Sequence, residues 1–261
     1  MTEIQFKELQ IALDGGPLHY IQGGDGPPIL HVHSSGGPRV SPVTERLAQR
    51  HTIYMPTMPG FNATPTHPTV ASMIDLADLV ARLVRKVIGS PCDVVSESFG
   101  GWIALWLAAR HPELVEQLVL EAPAGLRTEG TGGLPADPAE RLRKLYAVPE
   151  RAPKETRSAE VLARNQRVRD GYAGGITLDT ALEEALGRIT ARTLILFGTA
   201  DEVVPVETAR RLKAGIAHSH LSFVYGAAHA LEFDQPQRAA RLIAAFLEHG
   251  EGFLVRRLGA A

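Results

Sequence analysis

Hydrophobic residues along this chain fall into two alternating patterns, short apolar runs and longer stretches in which apolar positions recur every three or four residues. A short apolar run bounded by Gly or Pro predicts a buried strand, whereas apolar positions at i, i+3, i+4 and i+7 predict an amphipathic helix. After two extended stretches near the N-terminus, the predicted strands are 28–33, 51–57, 91–95, 118–120, 193–197 and 221–225. The predicted helices are 73–88, 99–110, 206–217 and 236–249.

This alternation of strands and helices predicts an α/β fold with a mostly parallel sheet and flanking helices. The composition changes at about residue 124, where glycines and prolines separate three charge-dense helical segments near 138–147, 158–172 and 178–188. We therefore predict a core of residues 1–123 and 190–261 and a small helical lid, 124–189, inserted late in the sheet. Such a lid would cover the carboxyl ends of the strands, where ligands bind in open α/β sheets.

Composition and charge exclude several classes of function. The chain has 261 residues and a formal net charge of −2, so we expect neither nucleic acid nor an anionic membrane as a partner. No apolar run approaches the roughly 18 residues that a membrane span requires. The single cysteine, Cys92, excludes an internal disulfide and is predicted to be a buried core residue. The N-terminal residues Met1–Gln5 lack the features of a signal peptide, so we expect a cytoplasmic protein.

The segment Ser96–Gly100 lies where a predicted strand meets a predicted helix. A sharp turn there would force Ser98 into a strained backbone conformation and expose its hydroxyl above the sheet. Such a turn has space only for small residues two positions before and two after the serine, and Ser96 and Gly100 meet that requirement. The backbone N–H of Phe99 would open the helix and point at the site.

This segment resembles the nucleophile elbow Gly-x-Ser-x-Gly of the α/β-hydrolase family, with Ser96 in place of the first glycine. The family's order is serine, then an acid, then histidine, each in a loop after a strand. The resemblance implies that Ser98 is the nucleophile, Asp201 the orienting carboxylate and His229 the base. Glu202 is the neighbouring alternative for the acid.

The resemblance also implies an oxyanion hole made of two backbone N–H groups, those of Phe99 and Ser35. Ser35 lies in a loop after the strand at 28–33 that is similar to the family's His-Gly-x loop, and Ser34 or Gly36 remains an alternative donor. Two roles are open for Glu97, stabilising the imidazolium of the base or holding the elbow in a buried network.

The implied function is hydrolysis of a small to medium carboxylic ester or lactone through an acyl-enzyme, with a small-molecule substrate and neither metal nor cofactor. One alternative is a C–C hydrolase of the meta-cleavage product type, although those relatives usually carry Asn at the position of Ser96. Another is a ligand-binding protein on the same fold.

Trp102 is predicted to be core, and the lid arginines are expected to form a solvated face. The oligomeric state, for example a homodimer, stays open.

Overall fold

The computed structural model describes residues 4–13, 15–250 and 252–253, so the first three residues of the N-terminal stretch discussed above lie outside the described residues. The strands of these residues are β1 (Lys7–Leu13), β2 (Gly16–Gly23), β3 (Pro28–Val32), β4 (Thr52–Thr57), β5 (Cys92–Glu97), β6 (Val115–Glu121), β7 (Arg192–Gly198) and β8 (Ser219–Val224). They form one sheet in the order β1-β2-β4-β3-β5-β6-β7-β8. β1 and β2 pair antiparallel, as do β2 and β4, and the remaining neighbours are parallel. The predicted α/β class with a mostly parallel sheet is confirmed.

Helices of the described part of the chain connect the strands. They are α1 (Pro42–Leu47), α2 (Met73–Leu83), α3 (Ser98–Arg110), α4 (Pro138–Leu145), α5 (Ala159–Ala173), α6 (Thr180–Ala185), α7 (Val206–Gly215), α8 (Leu231–Asp234) and α9 (Pro236–His249). The hydroxyl of Ser72 caps α2 by accepting from the backbone N–H of Asp75, and after a π-helical turn the chain leaves the helix at Gly89, whose φ is 77°. Among the helices that the structure describes, none has the length and apolar character needed to cross a membrane.

Helix α3 lies at the centre of the core. Its residues from Phe99 to Ala109 are all buried, and it packs against β3, β5, β6 and α2. A helix that is apolar on all sides is stable only when it is enclosed, which fixes its first turn firmly relative to the sheet.

Cys92, at the start of β5, is 1% exposed, as predicted, and burial raises the pKa of its thiol to about 12.

The segment between β6 and β7 contains α4, α5 and α6. No residue of α4 is buried, and in α5 only Asn165 and Tyr172 are. Helices α4 and α5 therefore contribute little to the hydrophobic core, whereas α6 buries Leu182 and Ala185 in it. Their position between β6 and β7 is the place where the sequence predicts a lid, and we refer to residues 124–189 as the lid below.

Candidate active site

The turn from β5 into α3 is as tight as the sequence predicts. Ser98 has a φ of 48°, in the left-handed region that non-glycine residues rarely adopt. A Cβ atom on Gly100 would lie 2.2 Å from the carbonyl oxygen of Val32, so glycine is required there. Ser96 is fully buried, and its hydroxyl donates to the Val119 carbonyl over 3.0 Å. The small residues on both sides of Ser98 thus allow the strained turn that presents its hydroxyl.

The structure brings Ser98, His229 and Asp201 together at the carboxyl ends of β5, β7 and β8. His229 Nε2 lies 2.9 Å from Ser98 Oγ, and His229 Nδ1 lies 2.9 Å from Asp201 Oδ2. The other oxygen of Asp201 accepts from the backbone N–H groups of Val203 and Val204, at 2.8 and 2.9 Å. These donors hold the carboxylate so that it accepts a hydrogen bond from the Nδ1–H of His229. The lone pair of Nε2 then faces the serine.

The neighbouring alternative, Glu202, does not take part in this chain of hydrogen bonds. Its side chain is exposed, whereas the side chains of Asp201 and His229 are 2% and 7% exposed. A buried carboxylate interacts more strongly with an imidazolium than an exposed one does. The geometry therefore favours Asp201 as the acid.

The loop after β3 turns sharply beside Ser98. The carbonyl oxygen of Ser34 accepts from His33 Nδ1 over 2.7 Å and from the N–H of Gly37 over 3.0 Å. Ser34, Ser35 and Gly36 all line the cavity into which Ser98 points. Phe99, the other predicted oxyanion donor, follows Ser98 in the first turn of α3 and packs its ring against Phe61. Which N–H group binds an oxyanion stays a prediction.

The cavity above Ser98 has a volume of about 550 Å³ and lies between the sheet and the lid. Its apolar wall comes mainly from lid residues, and Arg39 and Arg157 lie at its rim. Both arginines pair with Glu155, whose pKa the hydrogen bonds from Arg157 lower to about 2. A cavity of this size fits a small to medium organic substrate.

The lid arginines divide into two groups. Arg141 and Arg169 line the cavity, and Arg164 donates to the carbonyl oxygen of Thr64, so these three differ from the predicted solvated face. Arg143 and Arg167 are exposed, as predicted. Positive charge therefore reaches the cavity wall from the lid.

Beside the elbow lies a cluster of one histidine and three glutamates, which is buried except for Glu97, whose side chain is 22% exposed and lines the cavity. His31 Nε2 is 3.2 Å from Glu232 and 3.6 Å from Glu97. Burial and the nearby Glu232 raise the pKa values of Glu97 and Glu121 well above their usual range. Burial also raises the pKa of Glu232, but the charge and hydrogen bond of His31, together with hydrogen bonds from Ser41 and Glu97, lower it overall. Among the contacts of the described residues, Glu97 meets this cluster rather than His229, which favours its role in a buried network.

Sequence reasoning missed several polar residues that hold the lid to the core. Asp179 accepts from the indole N–H groups of both Trp102 and Trp106, each over 2.9 Å. Trp102 is 3% exposed, which confirms it as core. Asn165 and Tyr172 bind backbone groups of two core loops. Their partners are far away along the chain, so no local pattern identifies which groups they bind.

Comparison with known proteins gives relatives with named activities. The chain is 28% identical over 260 residues to 2-hydroxymuconate semialdehyde hydrolase from Pseudomonas sp. strain CF600, covering 87% of this chain and 89% of the relative. It is 27% identical over 248 residues to pimeloyl-[acyl-carrier protein] methyl ester esterase from Chromobacterium violaceum, covering 86% and 96%.

Solved structures and a family profile extend these matches. The 2-hydroxy-6-oxo-6-phenylhexa-2,4-dienoate hydrolase from Rhodococcus sp. strain RHA1 superimposes with a TM-score of 0.78 at 18% identity, over 94% of this chain and 99% of that one. At this identity the likeness shows a shared fold. Residues 29–242 match the profile of the alpha/beta hydrolase family, and they include all three residues of the Ser98–His229–Asp201 arrangement. The chain belongs to the alpha/beta hydrolase family.

Proposed function

We propose that this protein is a serine hydrolase that cleaves a carboxylic ester or lactone of small to medium size through an acyl-enzyme. The observation that carries the proposal is the unbroken chain of hydrogen bonds from Asp201 through His229 to Ser98 at the floor of a 550 Å³ cavity. The relative named as a methyl ester esterase supports an ester substrate.

In this proposal the Ser98 hydroxyl attacks the substrate carbonyl while His229 Nε2 takes its proton. Asp201 stabilises the resulting imidazolium and keeps the ring oriented. The N–H groups of Phe99 and Ser35 stabilise the negative oxygen of the tetrahedral intermediate. His229 then returns the proton to the leaving alcohol, and water attacks the acyl-enzyme by the same steps in reverse.

A fluorophosphonate probe tests the proposal because it labels only an activated serine. We expect one adduct, located on Ser98 by peptide mapping, and turnover of p-nitrophenyl esters in a panel running from acetate to dodecanoate. Folded protein that takes up no probe and turns over no ester would overturn the proposal. Stabilisation by ligands without turnover would then favour a binding protein.

A second candidate is a C–C hydrolase of the meta-cleavage product type, and the relative named 2-hydroxymuconate semialdehyde hydrolase supports it. Ser96 weighs against it. The hydroxyl of Ser96 is fully buried and bound to a β6 carbonyl, so it offers nothing to a substrate there. Parallel assays with a 2-hydroxy-6-oxo-dienoate and with p-nitrophenyl esters separate the two candidates by the ratio of their kcat/KM values.

The arginines on the cavity wall predict a preference for esters that carry a carboxylate. Replacing Arg141 with glutamine removes one of these charges, so we expect KM for the half-ester of a dicarboxylic acid to rise about 10-fold, the loss of one charge-assisted hydrogen bond. KM for a neutral ester of equal length should change less than about 2-fold. Arg143→Gln is the matched control, since Arg143 is exposed on the same helix. Equal effects of the two variants on both esters would contradict the prediction.

A further inference from the structure

Asn165 occupies an unusual place in the lid. Only two residues of helix α5 are buried, Asn165 and Tyr172, and Asn165 is 1% exposed. A buried amide that lacked hydrogen-bond partners would destabilise the fold by about 1–3 kcal/mol, so its partners indicate why it is there. Asn165 Oδ1 accepts from the backbone N–H of Asn62 over 2.9 Å. Asn165 Nδ2 donates to the carbonyl oxygen of Gly36 over 2.9 Å and to Asn62 Oδ1 over 3.0 Å.

These partners belong to two loops with left-handed backbone positions, which are strained at Asn62 and Ala63 and require glycine at position 37. Asn62 and Ala63, in the turn after β4, have φ values of 47° and 61°, and Gly37, in the loop after β3, has a φ of 90°. A Cβ atom on Gly37 would lie 2.7 Å from Asn62 Oδ1 and 3.1 Å from Asn165 Nδ2. Strained conformations persist only where surrounding contacts enforce them. Asn165 is the contact that the lid supplies to both loops.

The loop after β3 is the one that carries the predicted oxyanion donor Ser35. A peptide unit is planar, and its C=O and N–H point in opposite directions. His33 and Gly37 hold the carbonyl of Ser34, and this fixes the direction of the Ser35 N–H in the same peptide. The Gly37 N–H is in turn held through the carbonyl of its own peptide unit, that of Gly36, which receives hydrogen bonds from the lid.

The lid residue Arg157 also donates to the Gly36 carbonyl, and its guanidinium forms an ion pair with Glu155 at 2.8 Å. Both donors to this carbonyl come from the lid segment. Displacing the lid would therefore leave Gly36 and the backbone N–H of Asn62 without these partners. The loop after β3 would then be held from the core side alone.

We propose that Asn165 is a positioning residue that couples docking of the lid to the geometry of the oxyanion loop, so that the hole is complete only when α5 lies over the cavity. The inference rests on the proposed function, in which Ser35 stabilises the oxyanion. Asn165 acts through the backbone of Gly36 and Asn62 and touches no reacting atom.

The test is the Asn165→Ala variant, assayed with a short p-nitrophenyl ester and with a fluorophosphonate probe. We expect kcat and the rate of labelling to fall about 10- to 100-fold with KM within about 3-fold, because a misplaced oxyanion donor affects the transition state more than substrate binding. Tyr172→Phe is the matched control. Tyr172 is the other buried residue of α5, and its hydroxyl donates to the carbonyl of Pro59 over 3.0 Å, away from the oxyanion loop. Its kcat should stay within about 3-fold of wild type.

Amide hydrogen exchange provides a second measurement that needs no turnover. Asn165→Ala should exchange faster than wild type in peptides covering residues 33–37, and Tyr172→Phe should not. Unchanged exchange and kcat in folded Asn165→Ala, or equal losses of kcat in both variants, would overturn the inference. A different outcome is that Asn165→Ala exchanges faster at residues 33–37 while the wild type neither hydrolyses esters nor takes up the probe. That result would uphold the coupling of lid and loop and reject the proposed function.

Discussion

Replacing Ser98 with alanine is expected to lower kcat for ester hydrolysis about 10⁶-fold, the loss seen when the nucleophile of such a triad is removed. Alanine keeps the Cβ atom and hence the backbone strain at φ 48°, so the fold and the melting temperature should change little. Residual hydrolysis and loss of the probe adduct are measured together. Ser90→Ala makes the same chemical change at an exposed position and should retain full activity.

Asp201→Asn provides the complementary result. One oxygen of Asp201 accepts from two backbone N–H groups, so the amide oxygen of an asparagine would take that side and its NH₂ would face His229 Nδ1. Nδ1 would then have to accept a hydrogen bond from this NH₂ group, so the ring proton would sit on Nε2, directed at Ser98, and Nε2 could not act as a base. We expect kcat to fall about 10⁴-fold in a folded protein. Activity of either variant above about a tenth of wild type would contradict the proposed roles.

The three residues of this arrangement could be predicted from the local chemistry of the elbow together with the resemblance to the α/β-hydrolase family. A strand that enters a helix through one strained serine needs small neighbours, and Ser96 and Gly100 are visible in the sequence. Asp201 and His229 follow consecutive predicted strands, whose carboxyl ends meet at one edge of a parallel sheet. Local steric rules thus predict the elbow, whereas the choice of Asp201 and His229 among the acids and histidines of the chain depends on the resemblance to the α/β-hydrolase family.

The lid shows what the sequence does not determine. Arg141 and Arg143 lie two positions apart on α4, and only the docked orientation of the helix shows which one lines the cavity. Asn165 did carry a signal. It lies four residues after Val161 and three before Val168, so it is a polar residue on an apolar helix face. The pattern marks the residue as buried, but its partners, Gly36 and Asn62, are set by tertiary packing alone.

Acid is expected to destabilise this protein through His33, which holds the oxyanion loop from the core side. His33 is 1% exposed, its Nδ1–H donates to the Ser34 carbonyl, and its Nε2 accepts from the N–H of Met58 over 3.1 Å. A second ring proton would face that N–H donor directly. Burial is the main cause that lowers the pKa of His33 from 6.5 to about 4, and the charges of His31 and Arg157 lower it further.

The direction of the pH effect follows from these two values. Between pH 6.5 and about 4 the unfolded chain binds a proton at His33 that the folded protein does not, so the free energy of unfolding falls as the pH falls. At about 1.4 kcal/mol for each pH unit between the two values, the loss reaches about 3 kcal/mol. Above pH 6.5 this contribution is fully present.

Urea unfolding of wild type and His33→Gln from pH 7.5 to pH 4.5 measures the contribution of His33. The variant is expected to be less stable at pH 7.5, because glutamine cannot span the carbonyl of Ser34 and the N–H of Met58 at once. Between pH 7.5 and pH 4.5 the free energy of unfolding of the variant should fall less than that of wild type. The difference should be most of the roughly 3 kcal/mol assigned to His33. His218→Gln, at an exposed position, should follow the wild-type slope. Parallel slopes for wild type and His33→Gln would mean that His33 is protonated in the folded protein at the same pH as in the unfolded chain, which its two hydrogen bonds oppose.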